Sequence, residues 1–245
     1  MEIKQNHYYI TDKKYFQPQD FTSTDYVEKA FDFAWNMTFG MNGRHRDHRT
    51  GGQTNRKNGE IFINTFQGKL AEFAVYQKLK YSGINAPYPD LEQYQLGRWD
   101  ISDFKINNIN IAVKSTKFYG NLLLLETGDW DNYARYIPSN VTYDYLILVR
   151  IKPDGEAIMK QNKLLYSNTC AYDTLKKIIL SEVWTFDIAG FITKDELKDV
   201  ISKQQIIPQN AMLNTYTKMD AENYFVEAGK MNSFNLLCTN LRLKY

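Results

Sequence analysis

Cysteine and histidine are scarce in this chain, with two and three copies in 245 residues. Cys170 and Cys238 are too far apart for zinc-ligand spacing and too few for a disulfide framework, a usage that suits a reducing cytoplasm. His45 and His48 flank Arg46 and Asp47, but arginines surround them and His7 is distant in sequence, so a histidine metal site is excluded. Net charge is also small, 30 basic against 28 acidic residues, or +2. A surface that binds a polyanion would have to come from local clustering. No apolar run approaches the roughly 20 residues of a membrane span, and the N-terminus lacks the pattern of a signal peptide. These absences lead to the expectation of a cytoplasmic protein with no membrane partner.

What is present suits a folded α/β chain. Hydrophobic residues make up 43% and aromatic residues 15%, with tyrosine the commonest aromatic. The length suits one large domain, or a core with appended elements. Apolar residues at helical spacing (Val27, Ala30, Phe31, Ala34, Trp35) predict a helix over Asp25 to Met37, with Asp25 and Glu28 as a capping-box-like start. Gly40 to Glu60 has five glycines, four arginines and no aliphatic residue except Met41; it reads as a loop. A helix over Thr65 to Tyr81 follows, then a Pro-containing connection. Strands are expected at Leu122 to Glu126 and, as a continuous apolar run, at Tyr145 to Ile151. Helices are expected over Ala171 to Val183 and Thr193 to Ser202, within an α-rich or mixed C-terminal part.

Between the second helix and the later strands lies a β-hairpin. Asn107-Asn108 separates two alternating runs, and Asn tolerates the positive φ of a tight turn. With those residues as the turn, Ile106 faces Ile109, Phe104 faces Ile111 and Ser102 faces Val113. Phe104, Ile106, Ile109, Ile111 and Val113 then share the core face. Asp103 falls on the other face opposite Ala112, with Lys114 on the diagonal, roughly 7–8 Å away. Asp100 lands on the core face and needs a bulge to join them. An acid and a lysine side by side on a sheet suit a divalent metal and an attacking water, the requirements of phosphodiester hydrolysis.

Each candidate also has a plain structural role. Glu72, among Gly68, Val75 and Leu79, reads equally as a half-exposed helix carboxylate. Lys114 reads as an edge-strand lysine that snorkels, Asp100 as a cap, and Glu126 as the polar end of a buried strand. Arg44, Arg46, Arg49, Arg56 and Lys57 could follow a phosphate backbone or form a solvated loop, and Lys117 is a phosphate contact or a surface group.

The helix acid, the strand Asp and the Val113-Lys114 pair resemble the motifs of the PD-(D/E)XK nucleases, particularly type II restriction endonucleases, over roughly residues 60–151. The resemblance implies an α/β (α+β) fold with a restriction-endonuclease-like core, a mixed central β-sheet flanked by helices. It implies a single nuclease domain over residues 1–245, with residues 1–59 and 152–245 adding DNA-recognition or dimerisation elements. Glu72, Asp103 and Asp100 would be the metal ligands, for Mg2+ or Mn2+ in its place, and Lys114 would be catalytic. The family pattern also asks for a second acid where Ala112 stands, and Glu72 and Glu126 are the candidates to replace it. The implied substrate is double-stranded DNA, cut by a homodimer. The alternatives are a repair or Holliday-junction nuclease of the same fold, and an inactive DNA-binding or interaction module.

Overall fold

A computed structural model describes residues 1–40, 56–92 and 102–243. Arg44, Arg46, Arg49 and Asp100 lie outside the described residues. In chain order the strands are β1 (Glu2–Lys4), β2 (His7–Tyr9), β3 (Gln19–Asp20), β4 (Phe104–Ile106), β5 (Ile109–Lys117), β6 (Leu122–Glu126), β7 (Arg135–Tyr136) and β8 (Val141–Thr142). They continue with β9 (Tyr145–Lys152), β10 (Thr185–Thr193), β11 (Ile206–Ile207), β12 (Met212–Leu213), β13 (Thr217–Lys218) and β14 (Asn223–Glu227). The helices are α1 (Thr24–Thr38), α2 (Asn58–Tyr81), α3 (Gly155–Gln161), α4 (Tyr172–Leu180), α5 (Lys194–Ser202) and α6 (Phe234–Leu243). The fold is mixed α/β in the broad α+β sense.

The central sheet has five strands in the order β3-β10-β9-β5-β4, with β5 and β9 parallel and the other pairs antiparallel. The hairpin has the expected register, Phe104 against Ile111 and Ile106 against Ile109. Asn107 takes a φ of 55° at the turn, which asparagine tolerates better than most residues. Both faces of the sheet are covered. On one, Phe104, Ile106, Ile111, Ile147 and Val149 pack with the helices. On the other, Ala112, Leu146 and Leu148 meet Leu123, Leu125 and Val226 from a second sheet, β11-β14-β6. A strand buried on both faces has no polar side to show, hence the unbroken apolar run of β9.

The helix α2 starts at Asn58, seven residues before its expected start, so the predicted loop ends earlier than Glu60. Ile61, Phe62 and Ile63 are buried in the added turns. Buried residues surround much of α2, which lies between α1 and the sheet. Its first turn fits tightly: a Cβ on Gly59 would lie 2.0 Å from the Leu164 carbonyl oxygen. The start of α1 also differs from expectation, because Ser23 is the N-cap and accepts the Asp25 N–H, while Asp25 pairs with Lys29.

β10, absent from the sequence reading, joins β9 along its whole length, so the sheet takes strands from well beyond residues 60–151. The N-terminal segment is fastened to this half of the sheet by a buried ion pair. Arg150 donates through Nε to Asp187 Oδ1 at 2.8 Å, and through its terminal nitrogens to the Lys14 carbonyl at 2.7 Å and the Tyr15 carbonyl at 3.0 Å. Asp187 also accepts the Gln17 N–H at 2.8 Å. Among the described residues no helix is long and apolar enough to cross a membrane.

Candidate active site

β5 leaves its hairpin partner after Ile111, and Asp103 and Lys114 both adjoin the Val113 that follows. The ladder with β4 starts at Phe104, so no strand partner reaches Val113 from residue 102. The Val113 N–H donates instead to Asp103 Oδ2 at 2.6 Å. Asp103 thus caps the open edge of the sheet with one carboxylate oxygen, one residue from Lys114. The residue as a whole is half-buried, but its carboxyl is enclosed. Burial pushes its pKa above the ordinary value; the Val113 N–H and the positive charges of Lys114 and Lys69 offset only part of this.

Glu72 reaches the same neighbourhood through Lys69, one turn earlier on α2. Lys69 Nζ donates to Glu72 Oε2 at 2.6 Å and to the Asp90 carbonyl at 2.7 Å, and lies 4.4 Å from the centre of the Phe33 ring. The lysine is 8% exposed. Its charge is felt both by Glu72, in contact, and by Asp103. Lys69 was missed in the sequence, although its i,i+3 spacing to Glu72 was a usable signal.

Lys114 points to the other side of the sheet, into a cleft of about 340 Å3 between β5 and β6. Glu126, Asp129, Trp130 and Tyr136 line that cleft with it, and Lys114 Nζ lies 5.8 Å from the centre of the Tyr136 ring. Glu126 therefore comes near Lys114, although β6 pairs with β14 and not with β5. Asp129 and the two aromatic residues were also missed. They arrive from a 3₁₀ turn after β6 and from β7, and nothing in their spacing signals that approach. Among the described residues there is no group of three or more His, Cys, Asp or Glu side chains placed to hold a metal ion.

The other predicted contacts are dispersed. Lys117 is not a free phosphate contact: it pairs with Glu156 at 2.6 Å and Asp154 at 3.2 Å, tying the end of β5 to the start of α3. Burial works against its charge, but the two carboxylates outweigh burial and raise its pKa. Lys57 precedes α2, where its backbone N–H donates to Glu60 at 2.9 Å. Arg56 lines a separate cavity of about 230 Å3 with Glu60, Glu156 and Asp220. Comparison with protein-family models, with curated proteins and with solved structures finds no match to this chain.

Proposed function

We propose that this chain is a magnesium-dependent endodeoxyribonuclease with a restriction-endonuclease-like core, acting as a homodimer on a specific site in double-stranded DNA. The observation that carries this reading is the Asp103–Val113 hydrogen bond. It sets a buried carboxylate one residue from Lys114 and within the field of Lys69, the partner of the helix acid Glu72. In this reading Asp103 and the helix acid Glu72 hold the metal, and Lys114, next to Val113 in the chain, acts from the other face of the sheet.

Magnesium binds through one or two carboxylates and keeps several waters. In this reading Asp103 and Glu72 would supply them, with Glu72 in place of the acid missing at Ala112. A bound divalent cation would polarise the phosphate and lower the pKa of the attacking water. The chain's own residues do the rest. The Val113 N–H fixes one Asp103 oxygen, and the other would be the ligand in this reading. Lys69 orients Glu72 through a buried ion pair. Lys114 stabilises the charge that develops on the phosphoryl oxygens. Arg44, Arg46, Arg49, Arg56 and Lys57 bind the phosphate backbone in this reading. Incubation of supercoiled plasmid with and without magnesium tests it. Discrete linear fragments that require magnesium are expected; intact plasmid at every magnesium concentration would refute it.

One observation favours a second reading, an inactive DNA-binding module. The Lys69 ammonium already lies on Glu72 at 2.6 Å, a built-in cation beside the ligand set. That reading predicts a shifted DNA band on a native gel with no cleavage.

A further inference from the structure

The cleft that Lys114 enters has features that phosphodiester hydrolysis does not use. Its volume of about 340 Å3 lies within the range of small-molecule sites, ~300–1,000 Å3. One wall is aromatic: Tyr136 and Trp130 line it with ring centres 5.3 Å apart, and Tyr143, outside the lining, backs Trp130 at 6.0 Å. The loop that brings Tyr136 there is closed by its own bonds. Asp131 accepts the Tyr133 and Arg135 N–H groups and the Arg135 guanidinium, each at 2.9 Å, and Trp130 bridges to Tyr136. On the β6 side, Glu126 and Asn223 face each other across the β6–β14 pair and both line the cleft. Asn223 is 4% exposed, and its Nδ2 donates to the Ala221 carbonyl at 2.8 Å, which fixes the carboxamide.

A cation, an aromatic wall and a carboxylate beside a fixed carboxamide complement three parts of a nucleotide. The cation suits the phosphate, the rings suit the face of a base, and the carboxylate suits hydrogen-bond donors on the base edge. Guanine presents two adjacent donors on its Watson–Crick edge, N1–H and the N2 amino group, and a carboxylate has two acceptor oxygens. Thymine has one donor there, flanked by acceptors. We propose that this cleft holds a single nucleotide drawn out of the stack of the substrate DNA, and that Glu126 selects guanine in it. Extrusion of a base is how a protein reads that edge inside a duplex. The inference rests on the reading of Lys114 as the phosphate-facing lysine of a nuclease.

The test is equilibrium binding of dGMP, dAMP, dCMP and dTMP to the full chain in metal-free buffer, by calorimetry. Binding of dGMP is expected to be about tenfold or more tighter than that of dTMP, the scale of a lost charge-assisted hydrogen bond. Glu126→Gln should abolish the preference while leaving dTMP binding in place. Lys114→Ala should weaken all four by a similar factor. Asp129→Asn, in the same cleft but not assigned to the base, should keep the guanine preference and serves if Glu126→Gln fails to fold. No saturable binding, equal affinity for the four, or a preference that survives Glu126→Gln would each overturn the proposal. The outcome is separable from catalysis: dGMP binding with intact plasmid refutes the nuclease reading and keeps the pocket, whereas cleavage without mononucleotide binding refutes the pocket alone.

Discussion

Truncating Asp187 to alanine should destabilise this protein more than any change at its exposed ion pairs. Arg150 is 1% exposed, and its guanidinium meets Asp187 through two nitrogens. In Asp187→Ala the charge stays buried, keeping hydrogen bonds to the carbonyls of Lys14 and Tyr15 and the Phe16 ring but no carboxylate among the described residues. The Gln17 N–H loses its acceptor as well. Breaking one side of such a pair costs about 3–5 kcal/mol, a large share of the roughly 5–15 kcal/mol that holds a domain together. At about 2–4 °C per kcal/mol for a chain of this size, the melting temperature should fall by about 6–20 °C. The assay is urea unfolding followed by tryptophan fluorescence, with circular dichroism for the melt. A double change, Arg150→Met with Asp187→Leu, removes both charges and should recover part of the loss. Recovery stays incomplete, because the carbonyls of residues 14 and 15 lose a donor at roughly 1 kcal/mol each. A cost below about 1 kcal/mol for Asp187→Ala, the scale of a solvent-exposed pair, would refute the argument that this pair fastens the N-terminal segment to the sheet.

Three other outcomes can be measured. Asp103→Asn should abolish cleavage yet keep the fold, since an amide oxygen still accepts the Val113 N–H; because burial raises the Asp103 pKa, its ionisation weakens the wild type as pH rises through and above the ordinary carboxylate value, and urea midpoints from pH 3 to 7 should lose that component in the variant. Glu227 is fully buried, and its pKa is held down to about 2: burial opposes this, but the Met1 amine, the Thr11 and Asp12 N–H groups and Lys230 prevail. A depressed acid stabilises above its unfolded value and loses that stabilisation as pH falls, so stability should drop between the ordinary Glu value and pH 2, and Glu227→Gln should remove that drop. Replacing Arg44, Arg46, Arg49 and Arg56 by Gln should flatten the log–log salt dependence of DNA binding by several units, about one per lost phosphate contact; an unchanged slope would move the DNA-binding surface elsewhere.

The parts of the fold legible in the sequence were those with a local cause. The Asn107-Asn108 turn set the hairpin and its register, the unbroken apolar run set β9, and the helix expected over Thr193 to Ser202 matches α5, whose start Thr193 and Glu196 cap. β10 was not legible, because Thr185–Thr193 carries Asp187 for the buried ion pair and Gly190 at a register shift, and both interrupt the alternation. The first two turns of α2 were hidden by the Arg- and Gly-rich run before them. At the candidate site, Glu72, Asp103 and Lys114 could be named from their strand and helix positions. The cleft could not: Asp129, Trp130 and Tyr136 reach Lys114 only because a second sheet packs on the first, a tertiary event with no periodic signature.

The central proposal is that Lys114, next to Val113 on β5, is the reacting lysine of a DNA-cleaving site. The most direct test is Lys114→Ala measured against wild type in two assays on the same preparation: magnesium-dependent plasmid cleavage and DNA binding without metal. The account predicts cleavage reduced to background in the variant, with binding to long duplex DNA and the melting temperature close to wild type, since a half-buried lysine contributes little to stability and one phosphate contact among several little to affinity. Cleavage by the variant at the wild-type rate, or no cleavage by the wild type itself, would contradict it.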